Sequence, residues 1–193
     1  MKRFDIINKL ATKYNSKNYL EIGVQFRSSN FDKINCENKI CVDPDPNAKA
    51  DHIETSDDFF KKNKNNYDVI FIDGLHELDQ VYKDIVNSLQ ILNENGAIVV
   101  HDCNPVEEIH QIVPRISKVW NGNVWEAWVR LREREDLEMF VVDTDCGCGI
   151  IRKKENNKKF VIDDLINWQN FIKNRKKWLN LISVEEFKKY LSK

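Results

Sequence analysis

The pattern of apolar and polar residues is clearest between residues 67 and 105, where it predicts a strand, a helix and a second strand. Val69 to Ile72 and Ala97 to Val100 are short, β-branched runs of the kind that is buried on both faces of a parallel sheet. Between them, the apolar positions recur at helical spacing: Leu78, Val81, Ile85, Leu89 and Leu92. We expect Asn95-Gly96 to end this helix.

Asp73 and Asp102 follow these two strands. A strand, a crossover helix and a parallel strand form a right-handed unit in nearly every known case, so the two strands run in the same direction. Both carboxylates should therefore lie side by side at the carboxyl edge of the sheet, which is where open α/β sheets bind their ligands.

Three earlier apolar runs predict further strands, at Tyr19 to Val24, Ile40 to Val42 and His52 to Glu54. An amphipathic helix from Phe4 to Tyr14 precedes them. Strands that alternate with helices indicate an α/β fold with a doubly wound sheet. The first predicted strand and the fourth, which ends at Asp73, flank its switch point, so a nucleoside ligand should lie across their ends.

Two positions near those strand ends suit such a ligand. Gly23 permits a turn with close backbone approach, and residues 25–34 could begin a helix whose N-terminus faces the ligand. Asp43 ends the second strand roughly twenty residues later, where a carboxylate commonly accepts the hydroxyl groups of a ribose. The alternative interpretation of Asp43 is an incidental acid in the turn Asp43-Pro44-Asp45-Pro46.

The remaining pattern predicts helices. Ser56 is typical of a helix N-cap, with Asp57 and Asp58 favourable in the first turn. The later helices are expected at 106–119, which Pro114 must kink or divide, at 161–178, and at 183–191 behind a Ser183 to Glu186 capping box.

Tryptophans and arginines are interleaved between residues 120 and 134, as Trp120, Trp125, Trp128, Arg130, Arg132 and Arg134. Such a cluster can form a substrate-binding wall or a dimer contact, since both favour Trp and Arg. The equally open alternative is a helix packed by its Trp and Leu131 face, with the charges in water.

Length and composition limit the classes of protein to which the chain can belong. A chain of 193 residues, 41% of them apolar, can form one domain, with a core over 1–152 and helices over 153–193 packed on it. No run is apolar enough to span a bilayer and the N-terminus lacks a signal-peptide core, so we expect a cytoplasmic protein. Five cysteines indicate reduced thiols, and Cys146-Gly147-Cys148 is better explained by a tight strand connection than by zinc.

The net charge of −1 is unevenly distributed. Residues 152–193 carry 12 Lys and Arg against 5 Asp and Glu, so the C-terminal part is basic. Such a surface can attract nucleic acid, an anionic membrane or a phosphorylated substrate. We favour the solvated side of amphipathic helices, with neither nucleic acid nor membrane as a partner, because no aromatic and glycine pattern of a nucleic-acid module accompanies the charge.

Four motifs together resemble the class I S-adenosylmethionine-dependent methyltransferases: LEIGV at 20–24, CVDPDPN at 41–47, FIDGLH at 71–76 and VVHDCNP at 99–105. They are most similar to a small branch, tied to sugar and polyketide O-methylation, with an Asp-Gly-x-His motif after the fourth strand. The resemblance implies a mostly parallel seven-stranded sheet with helices on both faces, closed by an antiparallel hairpin over 136–152. It also implies a small-molecule or sugar acceptor, and it is compatible with a homodimer.

The resemblance further implies which residues bind S-adenosylmethionine: Glu21, Gly23, Asp43, Ser56, Asp57 and Asp73. Members of the family commonly carry further glycines after Gly23, whereas this chain has Gln25, Phe26, Arg27 and Ser28. Arg27 could reach the cofactor carboxylate. Because G-x-G-x-x-G is absent, a nicotinamide-binding domain is the less favoured interpretation.

Similar enzymes hold Mg²⁺ or Mn²⁺ with the acids that end the fourth and fifth strands, here Asp73 and Asp102. Cys103 stands where they carry a third ligand, and thiolate is a poor magnesium ligand, so Asn104 is the substitute candidate. His76 is the leading candidate for a catalytic base; His101 is the weaker one, because the side chain before Asp102 is expected to point into the sheet.

Two other classes of protein stay open. One is a cofactor-binding or regulatory protein that keeps the fold without catalysis, since a fold does not fix a function. The other is a metal-dependent hydrolase that uses Asp73, His76, His101 and Asp102.

Overall fold

The computed structural model describes residues 1–156 and 160–192. The helices are α1 (Arg3–Lys13), α2 (Ser56–Lys62), α3 (Leu78–Ile91), α4 (Glu108–Gln111), α5 (Val124–Leu131), α6 (Trp168–Leu179) and α7 (Val184–Leu191). The strands are β1 (Asn18–Ile22), β2 (Asn38–Val42), β3 (Tyr67–Ile72), β4 (Leu92–Val100), β5 (Leu137–Val142), β6 (Cys148–Lys153) and β7 (Leu181–Ile182).

The strands form one seven-stranded sheet in the order β2-β1-β3-β4-β6-β5-β7. Strands β1 to β4 pair in parallel, β6 lies antiparallel between β4 and β5, and β7 runs parallel to β5. This confirms the predicted doubly wound, mostly parallel sheet and its closing hairpin. After β2, at one edge of the sheet, the chain crosses back to the other side of β1 to form β3. The switch point therefore lies between β1 and β3.

Helices cover both faces of the sheet. On one face, the side chains of α3, α5 and α6 pack against Ile70 and Ile98. On the other face, α1 and α7 pack against Val69 and Phe71. Adjacent residues of β3 therefore serve opposite cores, which explains why the strand is a continuous apolar run.

The predicted strand at His52 to Glu54 is wrong, because only an isolated parallel bridge joins His52 to Val42. Ile53 is 57% exposed, and Glu54 pairs with Lys62, so the segment has no buried face to anchor a strand. The strand that ends at Asp73 is thus the third of the sheet, and β7 at the other edge supplies the seventh strand.

One predicted helix, near the start of the chain, is wrong, and a second helix is present but ends earlier than predicted. Residues 25–34 form two short 3-10 turns, because Asn30 has φ −140° and its side chain turns inward to donate to Glu21. Helix α3 ends at Ile91 and not at Asn95-Gly96. Gly96 instead lies within β4, where a Cβ would approach the Asp68 carbonyl oxygen to 2.7 Å.

Two helices in the C-terminal half are shorter than the sequence predicts. The helix expected at 106–119 shrinks to α4, because Pro114 cannot continue it and the Trp120 indole donates to the Ile112 carbonyl instead. Helix α6 begins only at Trp168, after the Asn167 side chain caps it. The capping box of Ser183 and Glu186 at the start of α7 is confirmed.

Trp125 and Trp128 are fully buried, so helix packing and not substrate contact explains these two tryptophans. The basic residues of the C-terminal part are partly paired: Lys177 with Asp163, and Lys188 with Glu185. Within residues 1–156 and 160–192, none of the helices combines the length and apolar character that a membrane span requires.

Candidate functional site

A cavity of about 680 Å³ opens at the carboxyl ends of strands β1 to β4. Its β1–β2 half is lined by Gly23, Asp43, Ser56, Asp57, Gln80 and Asp84. Its β3–β4 half is lined by Asp73, His76, His101, Asp102, Arg3 and Trp120. The cavity therefore lies at the switch point, where the sequence predicts a ligand.

Gly23 occupies a position that no other residue could take without strain. Its φ is +83°, and a Cβ would lie 2.3 Å from the carbonyl oxygen of Asp73. The Gly23 amide donates to the Val42 carbonyl at 2.9 Å. These contacts hold the turn after β1 against both neighbouring strands, and the backbone of this turn lines the cavity.

Asp43 lies on the cavity wall and is largely buried. Its Oδ2 accepts from the amides of Val24 and Gln25 at 2.8 and 3.0 Å, and its Oδ1 accepts from the Asp45 amide at 2.9 Å. The carboxylate therefore holds the turn that follows β1 while it faces the cavity.

Ser56 is not the N-cap of α2, since Thr55 takes that position and its Oγ1 accepts from the Asp58 amide at 3.2 Å. Ser56 and Asp57 instead accept from the Gln80 side chain at 3.1 and 3.2 Å. Thr55 has extended backbone angles, as an N-cap requires, whereas Ser56 is already helical.

Gln80 also donates to Asp84 at 3.0 Å. Burial raises the pKa of Asp84 to about 6, although hydrogen bonds from Ser56 and Gln80 oppose the shift. Helix α3 thereby gives the β1–β2 half a polar wall of amide and carboxyl groups.

Glu21 and Arg27 do not line this cavity. Glu21 is buried beneath it, where its carboxylate accepts from the Tyr19 hydroxyl at 2.5 Å and from Asn30 at 2.8 Å. Burial raises the pKa of Glu21 to about 7. Arg27 turns away to pair with Asp51 at 3.1 Å. Two other arginines line the cavity, Arg3 and Arg115, and the sequence analysis selected neither of them.

In the β3–β4 half, two carboxylates and two imidazoles interleave. Asp73 Oδ1 lies 3.2 Å from both His76 Nε2 and His101 Nδ1. Asp102 Oδ2 lies 3.0 Å from His101 Nδ1 and 3.4 Å from His76 Nδ1. Each histidine therefore contacts both aspartates. His101 points into the site, contrary to the expectation that it would face the sheet.

The contacts between the two aspartates and the two histidines shift the pKa values of these groups. Burial alone would raise the pKa of Asp73, but the charge and hydrogen bond of His101, assisted by His76, hold it well below its ordinary value. Burial alone would lower the pKa of both histidines, but the carboxylates of Asp73 and Asp102 raise it. Two like charges that lie close together are costly, and the imidazolium groups relieve that cost.

The surrounding residues fix the orientation of this group. Asp102 has φ +61°, an uncommon value for a residue other than glycine, and Asn121 donates to its Oδ1 at 2.6 Å. The Trp120 ring stacks on His76 with centroids 5.1 Å apart, and its carbonyl lies 3.1 Å from His76 Nδ1. The strained backbone of Asp102 is typical of a functional position.

Asp73, His76 and Asp102 could hold a metal ion, because one ligand atom from each lies within 4.8 Å of the others. Asn104 is not part of this group, since its amide donates to Asp143 at 3.0 Å and its oxygen accepts from Arg175 at 2.9 Å. The side chain of Asn104 thus has other partners in this structure, and its role as a third ligand stays a prediction. Burial raises the pKa of Cys103, which keeps it a thiol and unsuited to metal binding.

Sequence reasoning missed several residues that line or support the site, among them Arg3, Gln80, Asp84 and Asn121. Only Asp84 gave a local signal, since an acid beside the apolar stripe of α3 must either face water or a polar cavity. Arg3 reaches the site because α1 packs across the sheet, and this placement depends on tertiary structure alone.

Comparison with known proteins agrees with this geometry. Residues 33–103, less than half of the chain, match the model of a family described as a methyltransferase domain. No curated protein sequence matches the chain significantly. Together, the matched segment and the fold confirm the resemblance to methyltransferases that the sequence motifs predict.

Solved structures share the fold at low identity. A Staphylococcus aureus protein provisionally named as a caffeoyl-CoA O-methyltransferase is 20% identical, covers 78% of this chain and 82% of its own, and has a TM-score of 0.56. The Podospora anserina methyltransferase PaMTH1, bound to S-adenosylhomocysteine, is 16% identical over 76% of each chain, with a TM-score of 0.58. The O-methyltransferase TomG from Streptomyces achromogenes, in complex with S-adenosylmethionine, is 14% identical over 79% of each chain, with a TM-score of 0.56.

Proposed function

We propose that this protein is an S-adenosylmethionine-dependent methyltransferase that transfers a methyl group to a hydroxyl oxygen of a small molecule or sugar. The observation that carries the proposal is the single cavity that joins the glycine turn and Asp43 to the Asp73, His76, His101 and Asp102 cluster. The methyltransferase segment at 33–103 and the cofactor-bound structural neighbours support the same conclusion.

The β1–β2 half receives the nucleoside of the cofactor. Asp43 accepts the ribose hydroxyls with its remaining lone pairs, since a carboxylate offers about four acceptor sites and three amides already occupy part of them. Gln80, Ser56 and Asp57 offer donors and acceptors for the base. Because Gly23 has no side chain, the methionine part of the cofactor can lie against its backbone and extend towards Asp73.

The β3–β4 half carries the chemistry. Transfer forms a bond from the acceptor oxygen to the methyl carbon and breaks the bond from that carbon to sulfur, while the hydroxyl proton leaves for a base. When His76 is neutral and keeps its Nδ1 proton on the Trp120 carbonyl, Nε2 no longer donates to Asp73 and can accept that proton once the acceptor hydroxyl takes the place of this contact. His101 stays charged between the two aspartates and preserves their spacing.

A divalent cation fits the same group. Asp73, His76 and Asp102 would hold it, and when bound it would lower the pKa of the acceptor hydroxyl and fix its position. Two carboxylates with one imidazole suit Mn²⁺ better than Mg²⁺, which prefers oxygen ligands alone.

Calorimetry with S-adenosylhomocysteine tests the cofactor assignment, with NAD as the comparison ligand. We expect S-adenosylhomocysteine to bind and to raise the melting temperature, because a ligand that binds only the native state adds stability by mass action. Binding of NAD with no response to S-adenosylhomocysteine would refute the proposal.

A further inference from the structure

The cavity also carries two cations that no part of the proposed reaction uses. Arg115 and Lys118 lie on the segment between α4 and α5, and both line the cavity beside Trp120. Both side chains are exposed. Among residues 1–156 and 160–192, neither forms an ion pair with a carboxylate.

Several other charged groups of the cavity have a partner of opposite charge within the protein. Asp57 pairs with Lys83, and Asp73 lies against two imidazoles. Arg3, the remaining cation of the wall, pairs with Asp145. Arg115 and Lys118 are thus the cations of the cavity wall that have no carboxylate partner among residues 1–156 and 160–192.

Arg115 is held in place for binding. Its Nε donates to the Ser117 carbonyl at 3.0 Å and its Nη2 donates to the Lys118 carbonyl at 2.6 Å, which leaves Nη1 for a ligand. Its guanidinium carbon lies 6.0 Å from the centroid of the Trp120 ring, whose stacking partner is His76. The Trp120 ring therefore lies next to both the Arg115 guanidinium and the proposed base, His76.

We infer that the methyl acceptor carries an anionic group, a carboxylate or a phosphate, which Arg115 and Lys118 bind while the hydroxyl lies at His76. The inference rests on the proposed function, since it names the substrate class of the same site. A guanidinium matches the two oxygens of a carboxylate or phosphate, and an ammonium adds a point charge. Leu75, which is half-exposed on the cavity wall, offers contact to an apolar body that joins the two groups.

The test compares two ligands that differ in charge and share their shape, and adds a phosphate ester. The probes are 3,4-dihydroxybenzoate, its neutral amide 3,4-dihydroxybenzamide, and phenyl phosphate, titrated by calorimetry with and without saturating S-adenosylhomocysteine. We expect at least one anion to bind about tenfold more tightly than the amide, the effect of one charge-assisted hydrogen bond. The two anions distinguish a carboxylate acceptor from a phosphorylated one.

The variant Arg115→Gln with Lys118→Gln should remove this preference and leave the affinity for S-adenosylhomocysteine unchanged. The matched control is Lys64→Gln with Arg130→Gln, an exposed lysine and an exposed arginine outside the cavity, which should keep the preference. Both side chains of the test pair are exposed, so the fold should survive, which an unchanged melting temperature verifies.

Several results would overturn the inference. They are equal binding of anions and amide, no binding of any probe, or an anion preference that survives in the cavity variant. A tenfold loss of S-adenosylhomocysteine affinity in that variant would assign the two cations to the cofactor instead. Failure of the proposed function is separate, because it would show as absent S-adenosylhomocysteine binding in the unaltered protein, while the titrations without it still report the anion preference.

Discussion

The imidazole of His101 lies with its Nδ1 3.0 Å from Oδ2 of Asp102, its neighbour along the chain, and the ring is almost completely buried. The same Nδ1 lies 3.2 Å from Asp73, which ends the adjacent strand. One buried group thus links the carboxylates of two strands. The arrangement explains how two acids can share one edge of the sheet before any ligand binds.

Replacement of His101 by asparagine should lower the free energy of unfolding by roughly 3 kcal/mol, because it leaves two buried carboxylates without their shared cation. Urea denaturation near neutral pH measures the change. The control is His110→Asn, a histidine on α4 outside this group, which should change stability by less than about 0.5 kcal/mol. Equal losses in the two variants would show that the His101 contacts do not stabilise the fold.

The stability difference between the native protein and His101→Asn should depend on pH. The pKa of His101 is raised by the carboxylates of Asp73 and Asp102, so its contribution is complete below the ordinary value of 6.5 and disappears as the pH rises through the folded-state pKa. The difference should therefore shrink in alkaline solution.

Asp43→Ala should weaken S-adenosylhomocysteine binding by at least about tenfold, and it should lower stability by roughly 2 kcal/mol because three amides lose their acceptor. Asp45→Ala is the matched control from the same turn, since its carboxylate bonds only within that turn. Calorimetry and urea denaturation report the two effects. Equal cofactor affinity in both variants would contradict the ribose assignment.

The basic C-terminal part should not bind nucleic acid. Lys177 and Lys188 pair with acids, and Arg175 bonds Asn104, so the excess charge does not form one continuous surface of unpaired cations. We expect no detectable binding to generic DNA or RNA near physiological salt in a fluorescence anisotropy titration. An affinity that falls steeply with added salt, and that is lost when Lys173, Arg175, Lys176 and Lys177 are neutralised, would contradict this prediction.

Much of the fold could be predicted because the relevant signals are local. The run from Val69 to Ile72 and the helical stripe of α3 identify their elements without reference to the rest of the chain. Their connection fixes the strand direction, which brings Asp73 and Asp102 to one edge. The positions of His76 and Asp43 follow from the same ends of strands.

The structure departs from the sequence predictions where contacts between residues far apart in the chain determine the conformation. Asn30 has no sequence feature that announces its hydrogen bond to Glu21, and this bond prevents the helix expected there. Asn104 follows Cys103 in the chain but turns to Asp143 and Arg175, which lie on other elements. Arg3 reaches the cavity only because α1 crosses the sheet. Spacing along the chain contains no information on such partners.

The rate of methyl transfer should rise with pH. The pKa of His76 lies above its ordinary value of 6.5, because hydrogen bonding and charge from Asp73 and Asp102 outweigh its burial. Only the neutral imidazole can accept a proton, so kcat/KM should increase through a midpoint above 6.5 and then level off. A pH profile of kcat/KM measures this, and a midpoint below that value would exclude His76 as the base.

The last prediction separates a metal-dependent reaction from general-base catalysis at the same cluster. Asp102→Ala should abolish transfer and leave S-adenosylhomocysteine affinity nearly intact, because Asp102 lies in the β3–β4 half. Asp73→Ala should reduce both, since Asp73 also lies against Gly23, in the turn that we assign to the cofactor. Methyl transfer assays paired with calorimetry measure the two effects.

Chelation then distinguishes the two mechanisms. If a divalent cation is held by Asp73, His76 and Asp102, EDTA should abolish transfer and added Mn²⁺ should restore it. If His76 acts alone as the base, activity should survive EDTA and disappear in His76→Ala. His110→Ala is the matched control, because this histidine lies outside the group, and it should leave both results unchanged. Normal transfer by the Asp102, Asp73 and His76 variants and by the chelated protein would mean that the cluster is structural, and that the acceptor reacts elsewhere in the cavity.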